Sequence, residues 1–164
     1  MKKSHPLVME PRNDPIGFAK RSQENLRIIE ESLADKGEGH VVTQLVQSLL
    51  AYLVFPKERG YYTQLNSMQL STLEQNGWPR PEQIIGTTKD AGDLIRHMRN
   101  AVCHGLVVFH GIGPDSSNSR KLEEIFIEFS DRPKPGADIN WQVAIEGVDL
   151  RRFMFELIHE ANNN

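Results

Sequence analysis

The side chains of this sequence that could do chemistry lie close together, in a helical stretch over residues 89–104. At about 100° per residue, one side of this stretch is apolar. The opposite side carries Asp93, Arg96, His97, Arg99, Asn100, Cys103 and His104. Asn100 and His104 are spaced i, i+4, so their side chains can touch, and Arg99 is long enough to reach a ligand that they share. A position in the core does not explain such a face.

Arg99, Asn100 and His104 together suit phosphodiester chemistry. A guanidinium binds two phosphate oxygens at once and offsets charge that builds up on phosphorus. Imidazole is the side chain whose ordinary pKa lies nearest neutrality, as a general acid or base requires. RNA brings its own nucleophile, the 2′-hydroxyl, so the attack needs no metal-bound water. We predict that Arg99 binds the scissile phosphate, that His104 transfers protons, and that Asn100 positions the ring or the substrate.

The cluster offers one well-placed histidine per chain, whereas RNA cleavage profits from both a base and an acid. A two-fold axis that passes this helix would bring a second Arg–Asn–His set to the same phosphate. We therefore expect a homodimer with a composite site at its interface. Four further residues are weaker candidates for contacts with the substrate or its phosphates: Arg96 and His97 on the same helix, and Tyr61 and Tyr62 in the long connection before it.

The first half of the chain predicts helices. Asp14 and Pro15 begin a helix that runs to Lys36, and Gly37 is suited to end it. A second helix spans residues 39–55, and Pro56 ends or bends it. The connection over residues 57–87 is irregular, with a helical turn or two behind a capping box of Ser71 and Glu74, and its apolar side chains predict that it packs against the core.

After Gly105 the apolar period changes from helical spacing to two, which predicts strands over residues 106–109, 125–129 and 139–145. A last helix follows Asp149 as its cap. We therefore predict a mainly α fold of the α+β class, a four-helix bundle with a small antiparallel sheet inserted before the last helix. A single domain covers residues 1–164, with residues 1–13 as a loose N-terminal arm.

Composition restricts the class of protein. Of the 164 residues, 38% are apolar and 25% are charged, so the chain can bury a core, and the net charge of −3 argues against a protein that is basic all over. The lone cysteine, Cys103, cannot form an internal disulfide, which favours the cytoplasm. We expect no signal peptide and no membrane span, because the apolar runs are too short.

The segment Arg99-Asn100-Ala101-Val102-Cys103-His104 reads R-N-x-x-x-H, followed by Gly105. It resembles the signature of the HEPN superfamily, the higher-eukaryote and prokaryote nucleotide-binding domains. Over residues 39–158 the chain is similar to bacterial plasmid- or defence-associated HEPN proteins, including the loop with Gly77-Trp78-Pro79 and the sheet before the last helix.

This resemblance implies a metal-independent endoribonuclease that acts as a homodimer without a cofactor, in a toxin–antitoxin or phage-defence system. It implies catalytic roles for Arg99, Asn100 and His104, an RNA substrate, and a cognate antitoxin or regulatory protein as a further partner. The alternative is a catalytically inactive HEPN-like module that binds nucleotide or a protein.

Other interpretations of the polar face stay open. It can be a solvated helix face on which His104 only caps the helix end. Asp93, His97 and His104 share a flank, but two histidines about 10.5 Å apart along the axis are too distant to hold one metal ion without a bend. We therefore predict no metal site.

Overall fold

The computed structural model describes residues 14–37, 39–58, 60–112 and 121–162. The predicted arm over residues 1–13 lies outside these ranges. The described chain is mainly helical, with one antiparallel sheet of four strands, so the predicted class is confirmed. Its buried apolar side chains form one core that the helices share with one face of the sheet.

Helix α1 spans Pro15–Lys36 and has the predicted ends. The carboxylate of Asp14 accepts hydrogen bonds from the backbone N–H groups of Ile16 and Gly17, which have no partner inside the helix. At the other end Gly37 adopts φ 69° and donates its N–H to the carbonyl of Leu33. A left-handed residue here ends the helix, as glycine does most easily.

The second helical segment extends past its predicted end. It consists of α2 (Val41–Leu49), a π-helical segment (Leu50–Val54) and α3 (Phe55–Glu58). Pro56 does not end it, because the wider π-helical turn before the proline relieves the clash of its ring with the preceding turn. Pro56 has no N–H for the carbonyl of Tyr52, and that carbonyl accepts the hydroxyl of Tyr62 instead.

The connection that follows contains a 3₁₀ turn (Thr63–Leu65) and the short helix α4 (Leu70–Gln75). It packs on the core as predicted, through Tyr62, Leu65, Leu73 and Trp78. The predicted capping box is wrong. Ser71 lies inside α4, Gln69 at its start makes no side-chain cap, and Glu74 binds Arg80 instead.

Helix α5 spans Ala91–His104. The helix begins two residues after the predicted start at residue 89, because Asp90 is its N-cap: the carboxylate of Asp90 accepts the N–H of Asp93 at 2.8 Å. Gly105 ends the helix with φ 67°, as predicted. The buried side of α5 consists of Ala91, Gly92, Leu94, Ile95, Met98 and Ala101.

The sheet has the antiparallel order β1-β4-β3-β2. The three predicted strands are present, as β2 (Val107–Gly111), β3 (Ile125–Asp131) and β4 (Trp141–Glu146). The alternation predicted for β3 and β4 is confirmed, because Ile125, Ile127, Phe129, Trp141, Val143 and Ile145 are buried. Strand β1 (Glu82–Ile85) was not predicted, since all four of its residues are exposed and show no alternation.

Helix α6 spans Gly147–Asn162, so Asp149 lies in its first turn and is not its cap. It packs against α1, the π-helical segment, β3 and β4, while α5 lies against the π-helical segment on one side and β3 on the other. The polar face of α5 therefore lies beside the end of β3. No helix in the ranges that the structure describes is long and apolar enough to span a bilayer.

Candidate active site

Arg99 and Asn100 are joined directly on α5. The Nη1 group of Arg99 donates to Oδ1 of Asn100 at 2.9 Å. Its Nη2 group pairs with the carboxylate of Glu58, at the end of α3. The Nε atom of Arg99 is buried and has no hydrogen-bond partner in the described part of the chain. The guanidinium is thus held on two sides, and 32% of the side chain is exposed.

A carboxylate from the sheet holds the other end of the Asn100 amide. Nδ2 of Asn100 donates to Oδ2 of Asp131, the last residue of β3, at 2.9 Å. The same oxygen accepts Nδ1 of His97 at 2.7 Å, and Oδ1 accepts the backbone N–H of Arg132 at 2.8 Å. Asp131 is almost fully buried, so this carboxylate is enclosed by its donors.

These contacts decide the charge of Asp131. Burial raises the pKa of its carboxyl, but the hydrogen bonds from Asn100, His97 and Arg132 together outweigh burial and lower the pKa below its ordinary value. The carboxylate is therefore ionised at neutral pH. An ionised carboxylate only accepts hydrogen bonds, so each of the three neighbours must donate to it.

His97 is engaged through both ring nitrogens. Nδ1 faces Asp131, and Nε2 lies 2.8 Å from the guanidinium of Arg96 and 3.6 Å from Asp93. Since Arg96 can only donate, Nε2 accepts and Nδ1 carries the proton. The ring is also stacked on the indole of Trp141, with centroids 4.6 Å apart. His97 is thus fixed in place between Asp131 on one side and Arg96 and Asp93 on the other.

Positive charge collects beside Arg99. The ammonium of Lys57 binds Oδ1 of Asn66 at 3.0 Å. Burial lowers the pKa of Lys57, and the charges of Arg99 and Arg96 lower it further. Lys57 precedes Glu58, the ion-pair partner of Arg99, and Arg96 lies one turn before Arg99 on α5. Arg96 pairs with Asp93 at 2.6 Å and is half exposed. We call Lys57, Arg96 and Arg99 the cation cluster.

His104 lies apart from these contacts. It occupies the last turn of α5 and is exposed, as is its neighbour Cys103. Within the residues that the structure describes, His104 has no side-chain hydrogen bond or ion pair. Among the described residues, a hydrogen bond therefore joins Arg99 to Asn100, whereas none joins His104 to either of them.

The two tyrosine candidates are not placed at the site. Tyr62 is fully buried and its hydroxyl binds the carbonyl of Tyr52, so its selection as a substrate contact was wrong. Tyr61 is partly buried, and its hydroxyl donates to Asp14 at 2.9 Å, at the start of α1. Nor do Asp93, His97 and His104 converge on one point. In the part of the chain described, no group of three or more His, Cys, Asp or Glu residues could hold a metal ion.

Three residues of the site were missed in the sequence: Lys57, Glu58 and Asp131. Lys57 and Glu58 come close to α5 only because the helix continues through Pro56. Asp131 follows the alternating strand of residues 125–129, and its position could have been found by extending that strand by two residues. The sequence gives no signal that pairs it with Asn100, 31 residues earlier.

An exposed apolar patch lies on the neighbouring helices. Phe18, Leu50 and Phe55 are each more than 40% exposed, and the rings of Phe18 and Phe55 are 5.7 Å apart. Phe55 begins the helix that ends at Glu58, so the patch adjoins the site. Exposed apolar surface of this kind is typical of an interface between proteins.

Comparison with known proteins gives one family. The family model described as HEPN pEK499 p136 matches residues 3–164, nearly the whole chain. No curated protein and no solved structure matches significantly. A HEPN family of this kind points to a nuclease or a nucleotide-binding module.

Proposed function

The chain belongs to the HEPN pEK499 p136 family, and from this premise we propose that it is a metal-independent endoribonuclease. One observation carries the proposal. A partly exposed arginine is held in a fixed orientation within a cation cluster, on the same helix as an exposed histidine. Such a surface suits the phosphates of RNA.

The reaction is an internal transfer of phosphorus. The 2′-oxygen bonds to phosphorus as its proton passes to a base, and the bond from phosphorus to the 5′-oxygen breaks as that oxygen gains a proton from an acid. The products carry a 2′,3′-cyclic phosphate and a 5′-hydroxyl. Arg99 stabilises the negative charge on the phosphoryl oxygens, and His104 transfers protons.

Asn100 takes a narrower role than the sequence leaves open. Its oxygen already accepts from Arg99 and its nitrogen already donates to Asp131 in the single chain, which favours a role toward Arg99 over a contact with the substrate or His104. We propose that the role of Asn100 is to orient the guanidinium of Arg99. Glu58 takes the exposed side of the guanidinium, which is where a phosphate would bind, so phosphate and Glu58 exchange there.

A second copy of the chain completes the site in this proposal. The acid and the base come from the His104 residues of two chains, and the patch of Phe18, Leu50 and Phe55 forms part of the interface. The bundle of the four long helical segments would then pair with its copy across α3 and α5. Closed two-fold dimers are the commonest soluble oligomers.

The alternative is a HEPN module that binds a nucleotide or a protein without cleaving RNA. The separation of His104 from Arg99 in the single chain favours it. Both proposals use the cation cluster to bind phosphate, and they differ in whether RNA is cut. A role as toxin or defence component in the cytoplasm, restrained by an antitoxin or regulatory protein, belongs to the nuclease proposal.

Expression in a bacterial host separates the two. We expect the wild-type chain to slow growth and to fragment cellular RNA, and Arg99→Ala to do neither. Arg27→Ala is the matched control, because Arg27 is an exposed, ion-paired arginine on α1, away from the site. Equal growth and intact RNA with the wild type and Arg99→Ala would favour the binding module.

A further inference from the structure

The orientation of Arg99 depends on the sheet through a chain of polar contacts. We propose that Asp131 is a positioning residue: it fixes the amide of Asn100, and Asn100 in turn fixes the guanidinium of Arg99. The kinetic part of this inference rests on the proposed function, whereas the positional part does not. Asp131 itself lies too deep to touch a substrate, since its side chain is only 4% exposed.

The direction of the hydrogen bonds carries the argument. A side-chain amide can turn over, which exchanges its oxygen and nitrogen, and an isolated asparagine next to an arginine is free to do so. Asp131 accepts only, so Nδ2 of Asn100 must face it. Oδ1 then faces Arg99, where it accepts Nη1 at 2.9 Å. The carboxylate on β3 thus selects the amide orientation that holds the arginine.

Asp131 is itself held from several directions. His97 and Arg132 donate to it, and the His97 ring is stacked on Trp141. Trp141 in turn donates its indole N–H to the hydroxyl of Thr88 at 2.9 Å. The carboxylate is therefore a rigid reference point, which a side chain on a loop would not supply.

A purely structural role for Asp131, as a link between α5 and β3, makes a different prediction. In that case the loss of Asp131 lowers stability and leaves Arg99 ordered by Glu58. In a positioning role, the loss of Asp131 releases the Asn100 side of the guanidinium in a chain that is still folded. The two roles are separated by the state of Arg99 itself.

Two single variants break the match between hydrogen-bond donors and acceptors in these contacts. In Asp131→Asn, either orientation of the new amide leaves one donor facing another, at Asn100 or at the N–H of Arg132. In Asn100→Asp, two carboxylates face each other. The double variant restores complementarity. The carboxylate introduced at position 100 accepts from Arg99 and from the amide introduced at position 131. His97 then accepts at Nδ1 and carries its proton on Nε2, so it donates to Asp93 in place of accepting from Arg96, and the half-exposed Arg96 side chain turns away from it.

The test follows the Nε–H signal of Arg99 by NMR, assigned with Arg99→Lys, together with the rate of RNA cleavage. We expect both single variants to increase the motion of this group and to lower kcat/KM by about 100-fold, a loss typical of a misplacement of about 1 Å. We expect the double variant to restore the restricted motion of the Arg99 Nε–H group and to have a kcat/KM at least tenfold higher than either single variant. Asp138→Asn, an exposed loop residue, is the matched control.

Unchanged motion of Arg99 in both single variants, or a double variant no better than either, would overturn the proposal. If Asp131→Asn does not fold, Asn100→Asp and the double variant still test whether Asp131 positions Arg99. Asn100→Asp changes only a partly exposed residue of α5. If the wild type cleaves no RNA, the proposed function fails, and the NMR signal alone decides the role of Asp131.

Discussion

The two ends of the R-N-x-x-x-H segment differ, although they lie on one helix five residues apart. Arg99 is held by Glu58 from α3 and by Asn100, which is tied to the sheet at Asp131. His104 is exposed in the last turn and has no hydrogen bond or ion pair among the described residues. One end is organised by the chain's own fold, and the other is open.

This difference fits the separate demands on the two groups. A cation that stabilises developing charge is most effective when its position is set before the substrate arrives. A group that transfers protons must reach the reacting oxygens, which come with the substrate or lie at the interface with a second chain. We infer that folding supplies the phosphate site, and that assembly and RNA binding complete it at His104.

The largest effect is expected at the open end. His104→Ala should lower the rate of RNA cleavage by about 100- to 10,000-fold, because the proton-transfer group is lost. RNA binding should persist, since the cation cluster is intact. The measurement is the initial rate of RNA cleavage by His104→Ala. The control is His40→Ala, which removes another exposed histidine, at the start of α2. A rate undiminished in His104→Ala would contradict the assignment.

A smaller loss, of about 100- to 1,000-fold, is expected from Arg99→Lys at the organised end. Lysine keeps the charge but cannot form the planar, two-sided contact in which arginine binds both Asn100 and a phosphate. Single-turnover rates measure the loss, and Arg27→Lys serves as the control. Full activity in Arg99→Lys would show that a positive charge at this position is sufficient for cleavage, and that the contacts of Arg99 with Asn100 and Glu58 are not needed for it.

The organised end should also be sensitive to acid. Because the pKa of Asp131 in the folded chain is below its ordinary value of 3.8, the folded chain binds this proton less readily than the unfolded chain does. The carboxylate thus stabilises the folded chain at a pH above the ordinary pKa. This stabilisation is lost as the pH falls through the lower pKa of the folded chain. Urea unfolding at neutral and at acidic pH measures this loss. The free energy of unfolding should fall less between the two pH values in Asp131→Asn than in the wild type, and as much as in the wild type in Asp138→Asn.

The smallest effect is expected at the ion pair of Arg99 with Glu58. Glu58→Gln removes a carboxylate that competes with phosphate for the guanidinium. Exposed ion pairs contribute up to about 1 kcal/mol, so affinity for 2′-O-methyl RNA, which cannot be cleaved by this route, should rise by no more than about fivefold. Glu74→Gln, at the ion pair with Arg80, is the control. Weaker binding in Glu58→Gln would mean that Glu58 supports Arg99 rather than competing with phosphate.

The contrast between the two ends also marks what the sequence could predict. Local signals were sufficient for most of α5, since the apolar stripe defines its face and Gly105 its end, whereas its start lies two residues after the predicted residue 89. The ends of α1 followed from Asp14 and Gly37 in the same way. Arg99, Asn100 and His104 could therefore be placed on one helix from the sequence alone.

Contacts between distant segments were not predictable by the same reasoning. Asp131 and Asn100 meet because β3 lies against α5, and no spacing in the sequence records that packing. Glu58 reaches Arg99 because the π-helical segment lets the helix continue through Pro56. Strand β1 is exposed throughout and is recognisable only by its pairing with β4. The position of Tyr62 was not predictable either, because its partner is the Tyr52 carbonyl, which Pro56 has no N–H to bind.

The most direct test of the central claim is incubation of the purified chain with total RNA in EDTA, followed by identification of the ends of the fragments. We predict cleavage that EDTA does not inhibit, with 2′,3′-cyclic phosphate and 5′-hydroxyl ends. Cleavage that EDTA abolishes, or fragments with 5′-phosphate ends, would contradict attack by the 2′-hydroxyl at this site.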